Sequence, residues 1–218
     1  MKLPVLNVGG DEVRQIDVDA AVFGVEPNLA VVHQALLAQQ ANRRRGTAST
    51  LSRSEHSAAT TKSFRQKGTG RARMGARSSH VRSGGAVAFG PHPRSYKQRM
   101  PKKMRRLAIR SMLSQRTSEG GLLVLDAPDF EAKTQAVEGM LDALGADRSA
   151  LVVTEAADAN LQLGIRNLSR MDTCPADTLS VEALLTHDHI IMTEAAVRRA
   201  EALWGGERAA TRRGGGSG

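Results

Sequence analysis

The sequence is poor in aromatic residues and cysteine, and it lacks any long apolar run. Aromatic side chains make up 3% of the 218 residues, and Cys174 is the single cysteine. One cysteine excludes an intramolecular disulfide framework, and the few aromatics leave aliphatic side chains to fill a core. No apolar run approaches the roughly eighteen residues of a membrane span, and Met1 to Gly10 do not resemble a signal peptide. These absences predict a soluble, cytoplasmic protein.

Acidic side chains are almost absent from one long stretch of the chain. Residues 41–118 contain twenty Lys and Arg but one acid, Glu55, which gives a formal charge of +19. The other 140 residues carry eleven basic and twenty-one acidic side chains, a formal charge of −10. Because charge this concentrated opposes a compact state of its own segment, we expect a polyanion to order it.

Short apolar segments alternate with helical patterns on both sides of the basic stretch. Alternation of this kind favours crossover connections and a mostly parallel sheet covered by helices on both faces. We therefore predict an α/β fold, a single three-layer domain built from residues 1–45 and 99–204. Its predicted strands are 3–8, 13–18, 122–126, 150–154, 168–173 and 189–193, and its predicted helices are 28–40, one starting at Pro101, 134–144, 159–166, 181–185 and 194–204.

A long extended basic loop, residues 46–98, is inserted into this domain. Neither the helical nor the strand period persists in it, and its aromatic residues are Phe64, Phe89 and Tyr96. Loops of this length are uncommon in compact domains and are usually functional or disordered. We expect the chain to run out and back, and to order on binding RNA. Residues 205–218 are predicted to be a disordered tail of Gly and Arg.

The helix that starts at Pro101 has two chemically different faces. Met104, Leu107, Ala108, Ser111 and Met112 fall on one side at helical spacing. The cations Lys102, Lys103, Arg106 and Arg110 fall on the other. The helix can therefore bury one side and present the other to phosphates.

The densest signal in the loop is the segment 64–75, which combines glycines, cations and Phe64. Glycines permit close backbone approach, cations bind phosphates and an aromatic ring can stack on a base, so the mixture suits RNA. A solvated basic linker is one alternative interpretation. A nucleotide-binding glycine loop is another, but Arg73 occupies the place of its third glycine, and no Lys-Ser or Lys-Thr follows Gly75.

Residues capable of catalysis form no complete motif in the sequence. His187 and His189 would share one face of a strand, but no ligand motif completes a metal site around them. Cys174 has no nearby base and is expected to be a buried, inert thiol. Asp126, Asp129 and Glu155 lie near predicted strand ends and are expected to be caps or solvated charges. We predict no enzyme activity, no cofactor, no metal and no small-molecule substrate.

Four motifs in order resemble the bacterial type of the large-subunit ribosomal protein four family, and the resemblance covers nearly the whole chain. The loop signature is residues 65–73 with Gly75, Arg77, Ser78, Arg82, Gly84 and Gly85. The return limb is Phe89-Gly90-Pro91-His92-Pro93-Arg94-Ser95-Tyr96, and the anchoring helix is residues 101–111. A short fourth motif is Arg166-Asn167-Leu168.

This resemblance implies a structural constituent of the large ribosomal subunit that binds 23S rRNA and supports subunit assembly. It implies that the loop reaches the peptide exit tunnel, where Gln66, Lys67, Gly68, Thr69, Gly70 and Arg71 line the constriction. The implied partners are 23S rRNA, ribosomal protein twenty-two opposite the tip, and the nascent peptide. Two alternatives remain: an RNA-binding regulator that acts off the ribosome on its own mRNA or transcription, and a nucleotide-dependent RNA-modifying enzyme.

Shape recognition by phosphate contacts and close backbone packing is the mechanism that we expect. The residues expected to contact RNA are Arg43, Arg44, Arg45, Arg53, Lys62, Phe64, Arg65, Gln66, Lys67, Gly68, Thr69, Gly70, Arg71, Arg73, Arg77, Arg82, Gly84, Gly85, Arg94, Tyr96, Lys97, Arg99, Lys102, Lys103, Arg106 and Arg110. In the tail, Arg212 and Arg213 are assigned weak RNA contact.

Overall fold

A computed structural model describes residues 1–126, 132–146 and 148–205. The chain divides into two compact units. Residues 1–39 and the described residues from Arg99 to Gly205 form an α/β unit, and residues 40–98 form a second unit without helices or strands beyond the end of one helix. The predicted tail beyond Gly205, with Arg212 and Arg213, lies outside the described residues.

Six strands and seven helices form the regular structure of the described residues. In chain order they are β1 (Lys2–Leu6), β2 (Glu12–Asp17), α1 (Ala20–Phe23), α2 (Leu29–Arg43), α3 (Lys102–Ser118), β3 (Leu122–Leu125), α4 (Thr134–Ala143), β4 (Ala150–Thr154), α5 (Ala159–Ile165), β5 (Met171–Pro175), α6 (Val181–Thr186), β6 (His189–Thr193) and α7 (Glu194–Trp204).

The strands form one sheet in the order β2-β1-β3-β6-β4-β5. β1 and β2 are antiparallel, because the short turn between them can join only antiparallel neighbours. The other pairs, β1 with β3, β3 with β6, β6 with β4 and β4 with β5, are parallel. The predicted α/β fold with a mostly parallel sheet is confirmed.

Apolar side chains cover both faces of the sheet, which makes the unit three layers thick. Successive strand residues point to opposite faces. In β6, Ile190 and Met192 belong to one apolar cluster while Ile191 belongs to another. The first cluster includes Leu113 of α3, and the second includes Leu141 of α4. The cores are largely aliphatic, as the composition predicts, with Phe23 and Trp204 as the buried aromatics in the described residues.

Helix α3 is anchored by polar as well as apolar contacts. Ser111 and Ser114 are buried, and their hydroxyls accept hydrogen bonds from the backbone before α2: Val25 N donates to Ser114 Oγ at 2.9 Å and Asn28 N to Ser111 Oγ at 3.2 Å. Its last cation, Arg116, donates to the carbonyls of Leu184 and His187 at 3.2 and 2.7 Å. Arg116 therefore serves the fold, although it belongs to the +19 stretch.

Several boundaries differ from the sequence prediction for local reasons. The strand predicted at 168–173 begins at Met171, because Leu168 N bonds to Ile165 O in a turn after α5 and Arg170, with a positive φ of 63°, is not in an extended conformation. Pro101 is the N-cap of α3 and not its first residue. Helix α1 and a 3₁₀ turn at Ala176–Thr178 were not predicted, since elements this short show no period.

No helix within the described ranges is long and apolar enough to cross a membrane.

Removing a core side chain from α3 is expected to destabilise the domain strongly. Leu113 is fully buried in the first cluster, so Leu113→Ala should lower the free energy of unfolding by about 2–5 kcal/mol. Leu163→Ala is the matched control, because Leu163 on α5 is 45% exposed and should cost less than about 1 kcal/mol. Urea unfolding followed by circular dichroism measures both. Equal losses in the two variants would contradict the core described for α3.

Candidate nucleic-acid interface

The second unit is an out-and-back loop whose two limbs are joined by hydrogen bonds along their length. We call residues 46–62 the outgoing limb, 63–75 the tip and 76–94 the return limb. From base to tip, the paired residues are Asn42 with Gln98, Gly46 with Arg94, Thr50 with Pro91, Leu51 with Val87, Ala59 with Arg77 and Lys62 with Ala76. The nesting of these pairs places Gln66 to Arg71 at the turn of the loop.

At the base of the loop, Tyr96 lies between cationic side chains. The guanidinium carbons of Arg44 and Arg94 lie 3.8 and 4.6 Å from the centre of its ring, which is the distance range of cation–π interactions. A hydrogen bond from the Arg94 side chain, and then the charges of Arg94 and Arg44, lower the pKa of the Tyr96 hydroxyl. Gly46, with a φ of +67°, packs so closely on Arg94 O that any side chain there would clash. The contacts of Tyr96 and Gly46 thus hold the two ends of the loop together.

Glycines and one guanidinium shape the tip. Gly68 and Gly70 have φ values of 82° and 63°, a conformation that other residues rarely adopt. Arg65 Nη2 donates to Gly68 O at 2.8 Å, and Lys62 Nζ donates to Gln66 Oε1. Lys67 and the other tip cations are exposed. The tip is therefore a tight backbone turn that leaves its charges in solvent.

A small internal cluster stabilises the start of the return limb. Ala76, Ser78 and Ala86 are buried, and Ala86 N donates to Ser78 O at 3.3 Å to close a loop of nine residues, 78–86. Gly85 lies directly against Ser79 O, where a β-carbon would not fit. Arg82 Nη1 donates to Ser63 Oγ at 2.8 Å, which links this loop to the tip. These contacts use small residues in place of a large apolar core.

The charge of this unit is almost entirely positive. Residues 40–98 contain thirteen Lys and Arg and one acid, Glu55. Ser52 N and Oγ donate to the Glu55 carboxylate at 2.8 and 2.7 Å, and these bonds lower the pKa of Glu55. The carboxylate therefore stays ionised as a local turn contact. An open cleft of about 390 Å³ near the tip is lined by Arg53, Lys62 and Arg73, a concave cationic surface that suits phosphate groups.

The predicted RNA-contacting residues of the loop remain accessible. Most of them are exposed, and the exceptions, Phe64, Arg82, Gly85 and Tyr96, are partly buried. In the α/β unit, Arg99, Lys102 and Lys103 are exposed. Arg106 and Arg110 are partly buried, and Arg110 Nη1 lies 3.4 Å from the Ala21 carbonyl to which it donates. The basic face of α3 is therefore narrower than the helical pattern alone indicates.

Phe89 is not among the predicted RNA-contacting residues, although it lies in the return-limb motif 89–96. The ring of Phe89 is fully exposed, and its backbone has a positive φ of 50°. Neither property has a sequence signal, because both depend on how the limbs pair. The only hint in the sequence is the Gly-Pro that follows.

Of the acidic residues near strand ends, Asp126 makes an ion pair. Asp126 and Glu194 both accept from Arg14 Nη2, at 2.7 and 2.6 Å, in an exposed ion-pair network. Glu155 is exposed, and Asp129 lies outside the described residues. No cluster of three or more potential metal ligands occurs where side chains are described.

The spacing of His187 and His189 predicts that they share one face of a strand, and this prediction is wrong. The strand begins at His189, whereas His187 N bonds to Ala183 O and closes α6. The ring of His187 is buried, with Nδ1 donating to Ala183 O at 2.9 Å and Nε2 3.3 Å from Asp172 Oδ2. His187 therefore holds the end of a helix.

Comparison with the sequences of known proteins identifies a family that this chain matches. A sequence profile described as the Ribosomal protein L4/L1 family matches residues 16–203. The large ribosomal subunit protein uL4 of Dehalococcoides mccartyi strain CBDB1 is 45% identical over 206 residues, which cover 94% of this chain and 98% of that protein. Its counterparts in Heliobacterium modesticaldum and Moorella thermoacetica are both 43% identical, over 93% and 92% of this chain and 99% and 97% of their own lengths.

The Cys174 thiol is expected to react slowly with alkylating reagents. Burial, and then the nearby charge of Asp172, raise the pKa of Cys174 to about 11, so the thiol is protonated at pH 8. Iodoacetamide should modify it at least about tenfold more slowly than free cysteine at that pH, with the rate rising as the pH approaches 11. Mass spectrometry of the native protein measures the rate, and denatured protein is the control. Modification at pH 8 as fast as that of free cysteine would contradict the inert role.

Proposed function

The chain belongs to the ribosomal protein L4/L1 family, and on this basis we propose that it is a structural constituent of the large ribosomal subunit. The family consists of ribosomal proteins and not of enzymes. Its members named above are large-subunit proteins, which supports a location in cytoplasmic ribosomes and a role in translation. The proposal extends to binding 23S rRNA and to supporting assembly of the subunit.

The observation that carries the RNA-binding proposal is the structure of the basic loop. Residues 40–98 carry thirteen cations without a large core, and their single acid is engaged by Ser52. Such a surface gains more from phosphate neutralisation and counterion release than from any uncharged partner. The glycine turns at the tip allow RNA to approach the backbone, which is how shape is recognised without reading bases.

Helix α3 supplies a second basic surface in the α/β unit. Lys102 and Lys103 occupy its exposed first turn, while Ala108, Met112 and Leu113 bury the opposite side. The helix is therefore fixed by the core and free to present its cations. We propose that Lys102 and Lys103 contact phosphates, with Arg106 in a smaller role because its side chain is partly buried.

The tip, Gln66 to Arg71, is proposed to line the constriction of the peptide exit tunnel. Its position at the turn of the paired limbs, its exposure and its two left-handed glycines support this assignment. By resemblance to the family, ribosomal protein twenty-two would stand opposite, and the nascent peptide would pass between them. A regulatory role off the ribosome remains an untested prediction, and no contact described above favours it.

Removing cations from the loop is expected to weaken rRNA binding through its electrostatic part. Combining Lys67→Gln, Arg71→Gln and Arg73→Gln removes three exposed charges. If each contacts one phosphate, the slope of log K against log salt should become shallower by about 2–3. Filter binding of 23S rRNA at a series of KCl concentrations measures the slope.

The matched control removes the same charge from the α/β unit. Lys2, Arg148 and Arg166 are exposed there, and their replacement by Gln should change the slope by less than about 1. A loop variant with the slope of the unaltered protein would refute RNA binding by the loop. Equal losses in both triple variants would show binding to depend on net charge alone.

The tunnel assignment is testable with a single cysteine at the tip. Thr69→Cys in a Cys174→Ser background, labelled with a photoreactive maleimide, should crosslink to the nascent chain of stalled ribosomes. Ser57→Cys on the outgoing limb is the control, because it is equally exposed but lies away from the turn. Crosslinks from position 57 but not from position 69 would contradict the assignment.

A further inference from the structure

The return limb contains a three-residue bulge between two consecutive cross-limb pairs. Val87 N donates to Leu51 O at 3.2 Å, and Thr50 N donates to Pro91 O at 3.0 Å. Because Thr50 and Leu51 are neighbours in the outgoing limb, residues 88–90 form no backbone pair with it and are extra residues between the two pairs. Phe89 lies at the centre of this bulge.

The backbone of Phe89 is held in an unfavourable conformation. Its φ of 50° is in the left-handed region, which bulky residues rarely occupy because the β-carbon crowds the backbone. Strain of this kind persists only where surrounding contacts fix it, and it is concentrated at ligand-binding sites. The strain alone does not identify a ligand, but it shows that the conformation is imposed.

The neighbouring residues provide the contacts that impose it. Gly90 packs so closely on the side chain of Thr50 that a β-carbon would overlap it, and Pro91 follows with its restricted φ. Thr50 Oγ1 also donates to Pro91 O at 3.4 Å. The bulge is therefore fixed on both sides, and the Phe89 ring is directed outward by a prearranged backbone.

The ring makes no use of its apolar surface within the protein. Its side chain is fully exposed, with a relative accessibility of 108%, whereas Phe23 and Trp204 are buried. In a chain with so few aromatic residues, a ring held entirely in solvent is available to an external partner, and contact with that partner would remove its apolar surface from water. Leu51 and Val87, at the foot of the bulge, are also more than half exposed.

We propose that Phe89 stacks on an unpaired base of the ribosomal RNA and so acts as an aromatic anchor for the loop. The inference rests on the proposed RNA-binding function. The charges favour RNA over a protein partner, because the unit bearing the bulge has a formal charge of +12 and its single acid, Glu55, is engaged by Ser52. A flat ring beside phosphate-binding cations is the combination by which proteins hold single-stranded nucleotides.

Stacking and phosphate binding respond differently to salt, which allows the anchor to be separated from the charges. Phosphate contacts release counterions and set the salt slope, while the contact of a ring with a base releases none. Loss of the anchor should therefore reduce affinity by a similar factor at every salt concentration.

The affinity of 23S rRNA for Phe89 variants tests this. Phe89→Ala should weaken binding roughly 5- to 150-fold, the range measured for loss of one stacked base, with the salt slope unchanged. Phe89→Trp should bind with nearly unaltered affinity. Phe89→Leu, which keeps apolar bulk without a ring, should bind almost as weakly as Phe89→Ala. Val81→Ala, which truncates an 84% exposed apolar side chain on the return limb outside the bulge, is the matched control and should change affinity less than about threefold.

Tryptophan fluorescence gives a direct measurement of the contact. Phe89→Trp with Trp204→Phe moves the single indole of the chain to the bulge. Stacking on a base should quench its emission on addition of 23S rRNA, and saturation should follow the binding curve. Val8→Trp in the same background places an exposed indole in the α/β unit, where no quenching is expected.

The outcomes separate this inference from the proposed function. If the unaltered protein did not bind 23S rRNA with a steep salt slope, the proposed function itself would fail. Normal binding by Phe89→Ala, with no quenching of the indole introduced by Phe89→Trp, would overturn the anchor alone. If the Phe89→Ala variant bound naked rRNA normally but were poorly retained in assembled subunits, the partner of Phe89 would be a protein pocket. This outcome would also overturn base stacking.

Discussion

Repulsion among like charges is the constraint on which the structure of the basic loop depends. Residues 40–98 carry thirteen cations and one acid, and gathering so many like charges into a compact unit raises its free energy through repulsion. The limbs are instead joined by backbone hydrogen bonds, glycines in close contact and a few buried small residues such as Ala76 and Ala86. The loop is thus held together mainly by its backbone and small side chains. Nearly all of its charged side chains are left available to a polyanion.

The α/β unit, in contrast, is held together by packed cores that contain few aromatic residues. Aliphatic side chains from alternate positions of β6 fill two separate cores, and the buried hydroxyls of Ser111 and Ser114 satisfy the backbone before α2. Arg116 bonds two carbonyls near the end of α6. Within α3, therefore, Arg116 is partly buried against carbonyl groups, whereas Lys102 and Lys103 are exposed.

Periodic features were predictable from the sequence, and features produced by tertiary pairing were not. Strands β4 and β6 and helix α7 match their predicted bounds, because each shows a continuous apolar pattern of the right length. The start of β5 was wrong, since Arg170 adopts a left-handed conformation that no pattern reveals. The basic character of the interface could be predicted from composition, but the bulge at Phe89 depends on which residues of the two limbs face each other.

The order of strands has a consequence for the protein before it meets its partner. β2 and β5 are the two edges of the sheet, and exposed edges invite strand addition and aggregation. β2 carries Glu12, Arg14 and Asp17, while β5 carries Asp172 and ends at Pro175, which has no N–H to donate. Charge and proline at these edges oppose the addition of a strand from a second copy of the chain. The newly made protein is therefore less prone to aggregate.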